Sequence, residues 1–186
     1  DDRTASIAED AKPTCYVGGV SFKGHHGFEG TEAYYGPFEL IHAKNLANTT
    51  DQTGAFNIDV EQVLSWDPEI IFLDFNGMNL INEDYGAHPE FYNALTAVQE
   101  GKVYSQISFR SSASNLETAL ADAYYAACVM YPQQRATFGA FSVSGYRSRR
   151  KSWRDIHQAA GQQSLSRSGG SRLCVLPDYH WCVSTS

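Results

Sequence analysis

Along the first 134 residues, short continuous apolar runs alternate with segments whose apolar positions recur at three- and four-residue intervals. Residues 14–20 are rich in β-formers and run into Gly18 and Gly19, which predicts a buried strand followed by a Gly-rich loop. Pro37 suits a first helical position, and Phe38 and Ile41 lie three apart, predicting a short helix before residues 43–47. Asp59 stands as a capping acid three residues ahead of Gln62. Val60, Val63 and Leu64 then share a face until Pro68 ends the helix after about two turns. Residues 69–75 are continuously apolar at their centre and bounded by Pro68 and Gly77, the pattern of a strand covered on both faces.

Pro89 opens a further predicted helix, with Phe91, Leu95 and Val98 at i, i+4 and i+7 and Gly101 as its C-terminal cap. Residues 102–107 form the next predicted strand. Asn115 caps the longest helix, Glu117 lies in its first turn, and Leu116, Leu120, Ala123, Ala127 and Met130 form its expected buried stripe as far as Pro132. The order strand, helix, strand, helix, strand, helix implies a three-layer α/β/α Rossmann-like lobe with a mostly parallel sheet. Function is then expected in the loops at the carboxyl ends of the strands. Those loops are residues 21–36, 76–88 and 108–114.

Charge divides the chain at Gln134. Residues 1–134 carry 19 acids and 6 bases, a net of -13, and residues 135–186 carry 2 acids and 8 bases, a net of +6. The second segment has ten Ser, no amphipathic period and the run Arg147-Ser148-Arg149-Arg150-Lys151, so it reads as a poorly structured basic tail, disordered or out of frame. The 42% apolar content, with 11 Tyr and 10 Phe, excludes a disordered or collagen-like chain as a whole. No run of about 18 apolar residues is present to span a membrane, and the acidic first ten residues do not read as a signal peptide.

The first loop concentrates candidate chemistry. His25 and His26, with Glu29 and Glu32 nearby, could ligate a metal or contact an iron-bearing ligand, or could simply form a polar, solvent-facing binding loop. Lys23 and Arg110, at the ends of two strands, could pair with the oxygens of an anionic ligand, and Phe22, Tyr34, Tyr35 and Phe109 could supply flat apolar walls. The spacing around Ser21 is one residue too long for a nucleophile elbow, and no P-loop or dinucleotide-binding turn is present, so catalysis is not expected. Asp74, at a strand end, reads as a loop-capping residue before a catalytic acid. Cys15 and Cys128 fall in a strand and a helix, where a thiol serves as a small apolar group. Cys174 and Cys182, flanking His180, are one ligand short of a zinc set.

Five collinear segments carry a family resemblance. They are residues 12–19, then Gly24-His25-His26-Gly27-Phe28-Glu29-Gly30-Thr31-Glu32, then residues 59–74, residues 95–104, and Asn115-Leu116-Glu117-Thr118-Ala119-Leu120 with its continuation to Tyr125. Together they resemble the iron-siderophore/cobalamin/haem class of ABC-transporter substrate-binding proteins, across about residues 5–134. That family clamps its ligand between two α/β lobes joined by a rigid helix. The resemblance implies that residues 1–12 are the end of the connecting helix, residues 13–134 the second, C-terminal lobe, and residues 135–186 a tail foreign to it. The first lobe and the export signal would be missing.

The resemblance also implies a non-enzymatic role: binding an iron complex (ferric siderophore or haem) or cobalamin and delivering it to the permease subunits of an importer. No resident cofactor, metal or nucleic acid is expected. The full-length family is periplasmic or held outside the membrane by an anchor, touching the membrane only through the permease or that anchor. The implied ligand-binding residues are Phe22, Lys23, His25, His26, Tyr34, Asn76, Phe109 and Arg110, and Glu61 is the implied permease-docking acid. Two other classes stay open: a small metal-dependent enzyme using His25, His26 and Asp74, and a basic-tailed interaction module.

Overall fold

The computed structural model describes residues 2–110 and 114–134, with the backbone alone at positions 2 and 3. The basic tail, with Cys174, His180 and Cys182, lies outside the described residues, as do three positions of the expected loop at 108–114. A short helix, α1 (Asp2–Ala5), and a 3₁₀ turn at Glu9–Ala11 lead into β1 (Thr14–Gly18). Then come β2 (Gly30–Ala33), α2 (Gly36–Glu39), β3 (Lys44–Asn45), a 3₁₀ turn at Leu46–Thr49, and β4 (Gly54–Asn57). The chain continues through α3 (Val60–Trp66), β5 (Ile70–Asp74), a 3₁₀ turn at Phe75–Gly77, α4 (Met78–Ala87), α5 (Pro89–Ala94) and α6 (Thr96–Gln99). It closes with β6 (Val103–Gln106) and α7 (Leu116–Met130).

Four strands form one parallel sheet in the order β3-β1-β5-β6, as the alternation of elements predicts. β5 is buried along its whole length because neighbouring strands take its backbone bonds and both of its faces are covered. One face carries Cys15, Val17, Ile70 and Phe72, which join Phe38 of α2 and Ala119, Ala123, Ala126, Ala127 and Met130 of α7 in a single core. Phe72 meets Phe38 and Tyr125 edge-on, at ring centroids 5.3 and 6.4 Å apart. On the other face Tyr16 meets Phe28 at 5.2 Å, and Phe28 meets Tyr92 at 5.3 Å. Helices on both faces make the expected three layers. The chain leaves β1 for β3 on one side and returns to β5 on the other, so the strand order reverses between β1 and β5, where an open α/β sheet has its natural crevice.

The helix caps follow the sequence closely. Asp59 accepts from Glu61 N at 3.0 Å and Asn115 from Thr118 N at 3.1 Å, each satisfying a donor that the first helical turn leaves free. Cys15 is a buried thiol whose pKa burial raises, Cys128 is half-buried, and the two are not joined in a disulfide. No described helix is long and apolar enough to cross a membrane.

Four features differ from expectation. The expected buried stripe of α7 is rotated: Leu116 and Leu120 are 74% and 53% exposed, and the buried face is built from Ala119, Asp122, Ala123, Ala126, Ala127 and Met130. The aromatic rings of α2 and β5 already fill that side of the core, so only small helix residues let the backbones approach. The helix expected from Pro89 to Gly101 is broken at Leu95, whose backbone is extended, so Tyr92 rather than Phe91 becomes the buried anchor of α5. The stretch 76–88, expected as a loop, holds the ten-residue α4. Finally, β2 and β4 pair as an antiparallel ribbon that the sequence pattern does not announce.

Candidate functional site

The loop after β1 and the turn after β5 are locked together by glycines. Gly19 adopts φ +78, and a Cβ on Gly77 would run into Gly19 Cα and would lie 2.6 Å from the His26 carbonyl oxygen. Two backbones therefore touch where no side chain fits. Gly19 N donates to Gly27 O at 3.0 Å and Val20 N to Gly30 O at 3.0 Å, which closes the loop on itself. His26 lies over Gly30 and stacks on Phe22, with centroids 4.0 Å apart and planes 8° from parallel. His26 Nε2 donates to Phe22 O at 2.8 Å, and since a carbonyl only accepts, that nitrogen carries the hydrogen. Glu29 accepts from Gly27 N at 3.1 Å, with His26 Nδ1 4.0 Å away. Lys23 and His25 stand exposed beside the stack, and Ser21 Oγ lies 3.5 Å from His25 Nδ1.

The adjacent turn is organised by Asp74, whose carboxylate caps it by accepting from Asn76 N at 2.9 Å and from the Ser108 hydroxyl. Ser108 Oγ in turn accepts from Asn76 N at 2.9 Å, which ties the end of β5 to the end of β6. Burial raises the Asp74 pKa, opposed by these two hydrogen bonds and by the Arg110 and His25 charges. One residue beyond the paired Asp74 and Gln106, Phe75 and Ile107 project as an apolar rim, 57% and 52% exposed.

Arg110 makes the firmest polar contact of this edge. Its two terminal nitrogens grip the Glu32 carboxylate of β2, Nη2 donating to Oε1 at 2.7 Å and Nη1 to Oε2, while its guanidinium sits 4.9 Å above the Phe109 ring. Burial pushes Glu32 up and Arg110 pulls it back. Beneath them lies a second polar layer: Tyr35, 5.6 Å from Phe109, and Asp122 of α7, which accepts from Ile107 N at 3.2 Å. The Tyr35 hydroxyl, Asp122 Oδ2 and Gln106 Oε1 are buried without a hydrogen-bond partner. Burial, with Asp74 adding repulsion, pushes the Asp122 carboxyl up to about 7.

Seven of the residues expected at a site therefore stand on loops and turns at the carboxyl edge of the sheet: Phe22, Lys23, His25 and His26 after β1, Asn76 after β5, and Phe109 and Arg110 after β6. Phe109 is buried beneath Arg110 rather than presented as an open wall. Tyr34 is carried away from the loop by the length of β2, with its N–H donating to Asn48 Oδ1 at 2.7 Å and its ring exposed. Glu61 is exposed in the first turn of α3. Glu32 turns inward to Arg110, and among the described residues no three His, Cys, Asp or Glu side chains come together as a metal site. Sequence reasoning missed Phe75, Ile107, Ser108 and the inward role of Glu32. The first two follow the last residues of β5 and β6, so reading one position past each strand would have found them.

No protein-family model and no curated protein sequence matches the chain. Solved structures do. An ABC transporter solute binding protein from Sulfurospirillum deleyianum superposes with a TM-score of 0.53 at 18% identity, over 74% of this chain and 45% of that one. The molybdate periplasmic binding protein MolA of Haemophilus influenzae, bound to molybdate, gives 0.54 at 18% identity, over 73% and 40%. CeuE of Helicobacter pylori with Ni(II) bound gives 0.53 at 18% identity, over 71% and 41%. The chain spans less than half the length of these proteins, and the likeness is one of fold.

Proposed function

We propose that the chain is a lobe of the solute-binding component of an ABC importer, acting without catalysis on a small ligand: an iron complex such as a ferric siderophore or haem, or a cobalamin. The observation that carries the reading is what meets at the switch-point edge. A stacked aromatic–imidazole pair, an exposed apolar rim at Phe75 and Ile107, and the cations Lys23 and Arg110 stand on three segments, the first two pinned by the Gly19–Gly77 contact and the third tied to the second through Ser108. Flat apolar surface with a few convergent polar groups suits a chelate or macrocycle with anionic oxygens at its periphery. The fold shared with solute-binding proteins supports the same reading. On it, Phe22, Lys23, His25, His26, Asn76, Phe109 and Arg110 face or support the ligand, and Tyr34 touches only a large one. Glu61, exposed on α3, docks the permease, and the protein works outside the cytoplasmic membrane, with residues 13–134 as its C-terminal lobe.

Titration of the isotopically labelled chain with a ferric siderophore, gallium-substituted haem, cyanocobalamin and molybdate, followed by amide chemical shifts, tests this. Binding is expected to be weak, because one lobe buries only part of a ligand, with shifts confined to residues 21–27, 75–76 and 107–110. Absence of shifts at those positions with every ligand refutes the reading. Exchange of Glu61 for Gln should leave these shifts unchanged and weaken capture by the permease.

A further inference from the structure

Arg110 is the cation best placed to meet an anionic ligand, yet it is already engaged. Both of its terminal nitrogens are held by Glu32, whose side chain is only 6% exposed, whereas that of Arg110 is 37% exposed. Glu32 comes from the β2–β4 ribbon and Arg110 from the segment after β6, so the pair closes a loop of 78 residues in sequence. Leaving a buried carboxylate without its partner is costly, because little water reaches it to replace the lost bonds. Arg110 is therefore held back from swinging out to a ligand, and while paired it offers only Nε–H and the outer hydrogens of its terminal nitrogens. Its charge, moreover, is cancelled from within the fold.

We propose that Glu32 sets the charge selectivity of the site: by fixing Arg110 and neutralising it, Glu32 makes the site discriminate against strongly anionic ligands, a discrimination lost when the carboxylate is removed or protonated. The proposal rests on the solute-binding reading above and adds to it the class of ligand admitted, one of low net charge with oxygen acceptors at its edge. The groups around Glu32 leave it this role. Facing it are Arg110, the Tyr35 hydroxyl and, beyond Arg110, Asp74. β4 (Gly54–Asn57) and the Leu46–Thr49 turn contribute no charged residue, and β1 contributes only Tyr16 and Cys15 as titratable groups. Burial raises the Glu32 pKa, opposed by the Arg110 hydrogen bonds and charge, so falling pH removes the carboxylate charge earlier than it would from an exposed Glu.

The test compares the wild-type chain with E32Q, which keeps the shape and one acceptor for Arg110 while removing the charge. Two probes are titrated between about pH 5 and pH 8 and followed by amide shifts: hexacyanocobaltate(III), a redox-inert polyanion of constant charge, and cyanocobalamin, which is neutral overall. For the wild type, affinity for the polyanion should rise as pH falls. In E32Q it should be about tenfold higher at pH 8, from one uncancelled charge close to the probe, and should rise less steeply as pH falls, because Asp122 still takes up a proton near 7 but Glu32 no longer contributes. Cyanocobalamin affinity should change less than about twofold. Equal polyanion affinity and equal pH profile in the two proteins would overturn the proposal and leave the solute-binding reading intact, as would binding of cyanocobalamin alone. Failure of both probes to shift any residue in either protein would overturn both. Should E32Q fail to fold, the wild type decides: a polyanion affinity that is flat with pH, or unchanged in R110Q, overturns the proposal.

Discussion

Asp122 offers the sharpest check on the polar layer beneath the site. It sits on the core face of α7, buried, with Oδ1 accepting from Ile107 N at 3.2 Å and Oδ2 without a partner. Exchange for Asn preserves size and the accepting oxygen and removes the charge. Burial, with repulsion from Asp74, lifts the carboxyl from an ordinary 3.8 to about 7. A gap of about three pH units at about 1.4 kcal/mol each sets an upper bound of about 4 kcal/mol, and solvent relaxation around a group this near the loop cuts that to about 2 kcal/mol. The sign follows from the direction. A carboxyl whose folded pKa is raised favours the folded state while it is neutral, so its contribution is fully present below 3.8 and lost as pH rises through about 7. D122N should therefore unfold in urea with a stability that exceeds wild type by a margin growing by about 2 kcal/mol between pH 4 and pH 8. Carboxylates not coupled to Asp122 titrate in both proteins and cancel in the difference, and loss of the Asp74–Asp122 repulsion adds to it with the same sign. A margin constant with pH would refute the reasoning, because it would mean that Asp122 is as well solvated folded as unfolded.

Three more outcomes are expected. G77A should cost about 1–3 kcal/mol or more by overpacking, since its new methyl meets backbone at Gly19 and at the His26 carbonyl. Amide shifts should then move across residues 19–27, and unchanged shifts there would contradict the interlock. R110Q should destabilise by about 3 kcal/mol at neutral pH by stranding the buried Glu32 carboxylate, and less as pH falls and Glu32 takes a proton. Combining it with E32Q should recover most of the loss in a urea melt. The double exchange L116Q/L120Q should leave stability within about 0.5 kcal/mol, because both side chains point to solvent, and should reduce self-association in sedimentation velocity. A large loss of stability would restore the stripe that the sequence pattern predicts.

The elements that were legible are those whose local chemistry leaves one choice. Residues 69–75, with four apolar residues in a row between Pro68 and Gly77, have no amphipathic alternative and became the central strand β5. Asp59, Pro37 and Asn115 mark helix starts because each satisfies or forgoes a backbone donor within its own turn. The misread face of α7 shows the limit of this logic. Leu116, Leu120 and Tyr124 recur as regularly as Ala119, Ala123 and Ala127, and periodicity cannot tell which stripe is inside. The choice was made by Phe38, Phe72 and Tyr35, distant in sequence, which supply the bulk and leave room only for small residues. The β2–β4 ribbon was hidden for a related reason: four-residue strands 20 or more positions apart carry too few side chains to show an alternation.

The site divides along the same line. That chemistry gathers after β1, β5 and β6 follows from the direction of a parallel sheet, and the sequence alone places Phe22, Lys23, His25, His26, Asn76 and Arg110 there. What each does there could not be read, because roles are set by partners far along the chain. Arg110 reads as a free cation at a strand end until Glu32, 78 residues earlier, takes both of its terminal nitrogens. Asp74 reads as a lone acid until Ser108 and Asn76 bind it into a cap. The consequence is electrostatic. Formal charge along these loops describes the site poorly, because Arg110 is matched from within, and Asp74 and Asp122 are both shifted by burial toward their neutral forms. The field that a ligand meets is then set by Lys23 and by how many of the three buried carboxyls, Glu32, Asp74 and Asp122, hold a proton, so affinity for charged ligands should follow pH rather than the residue count.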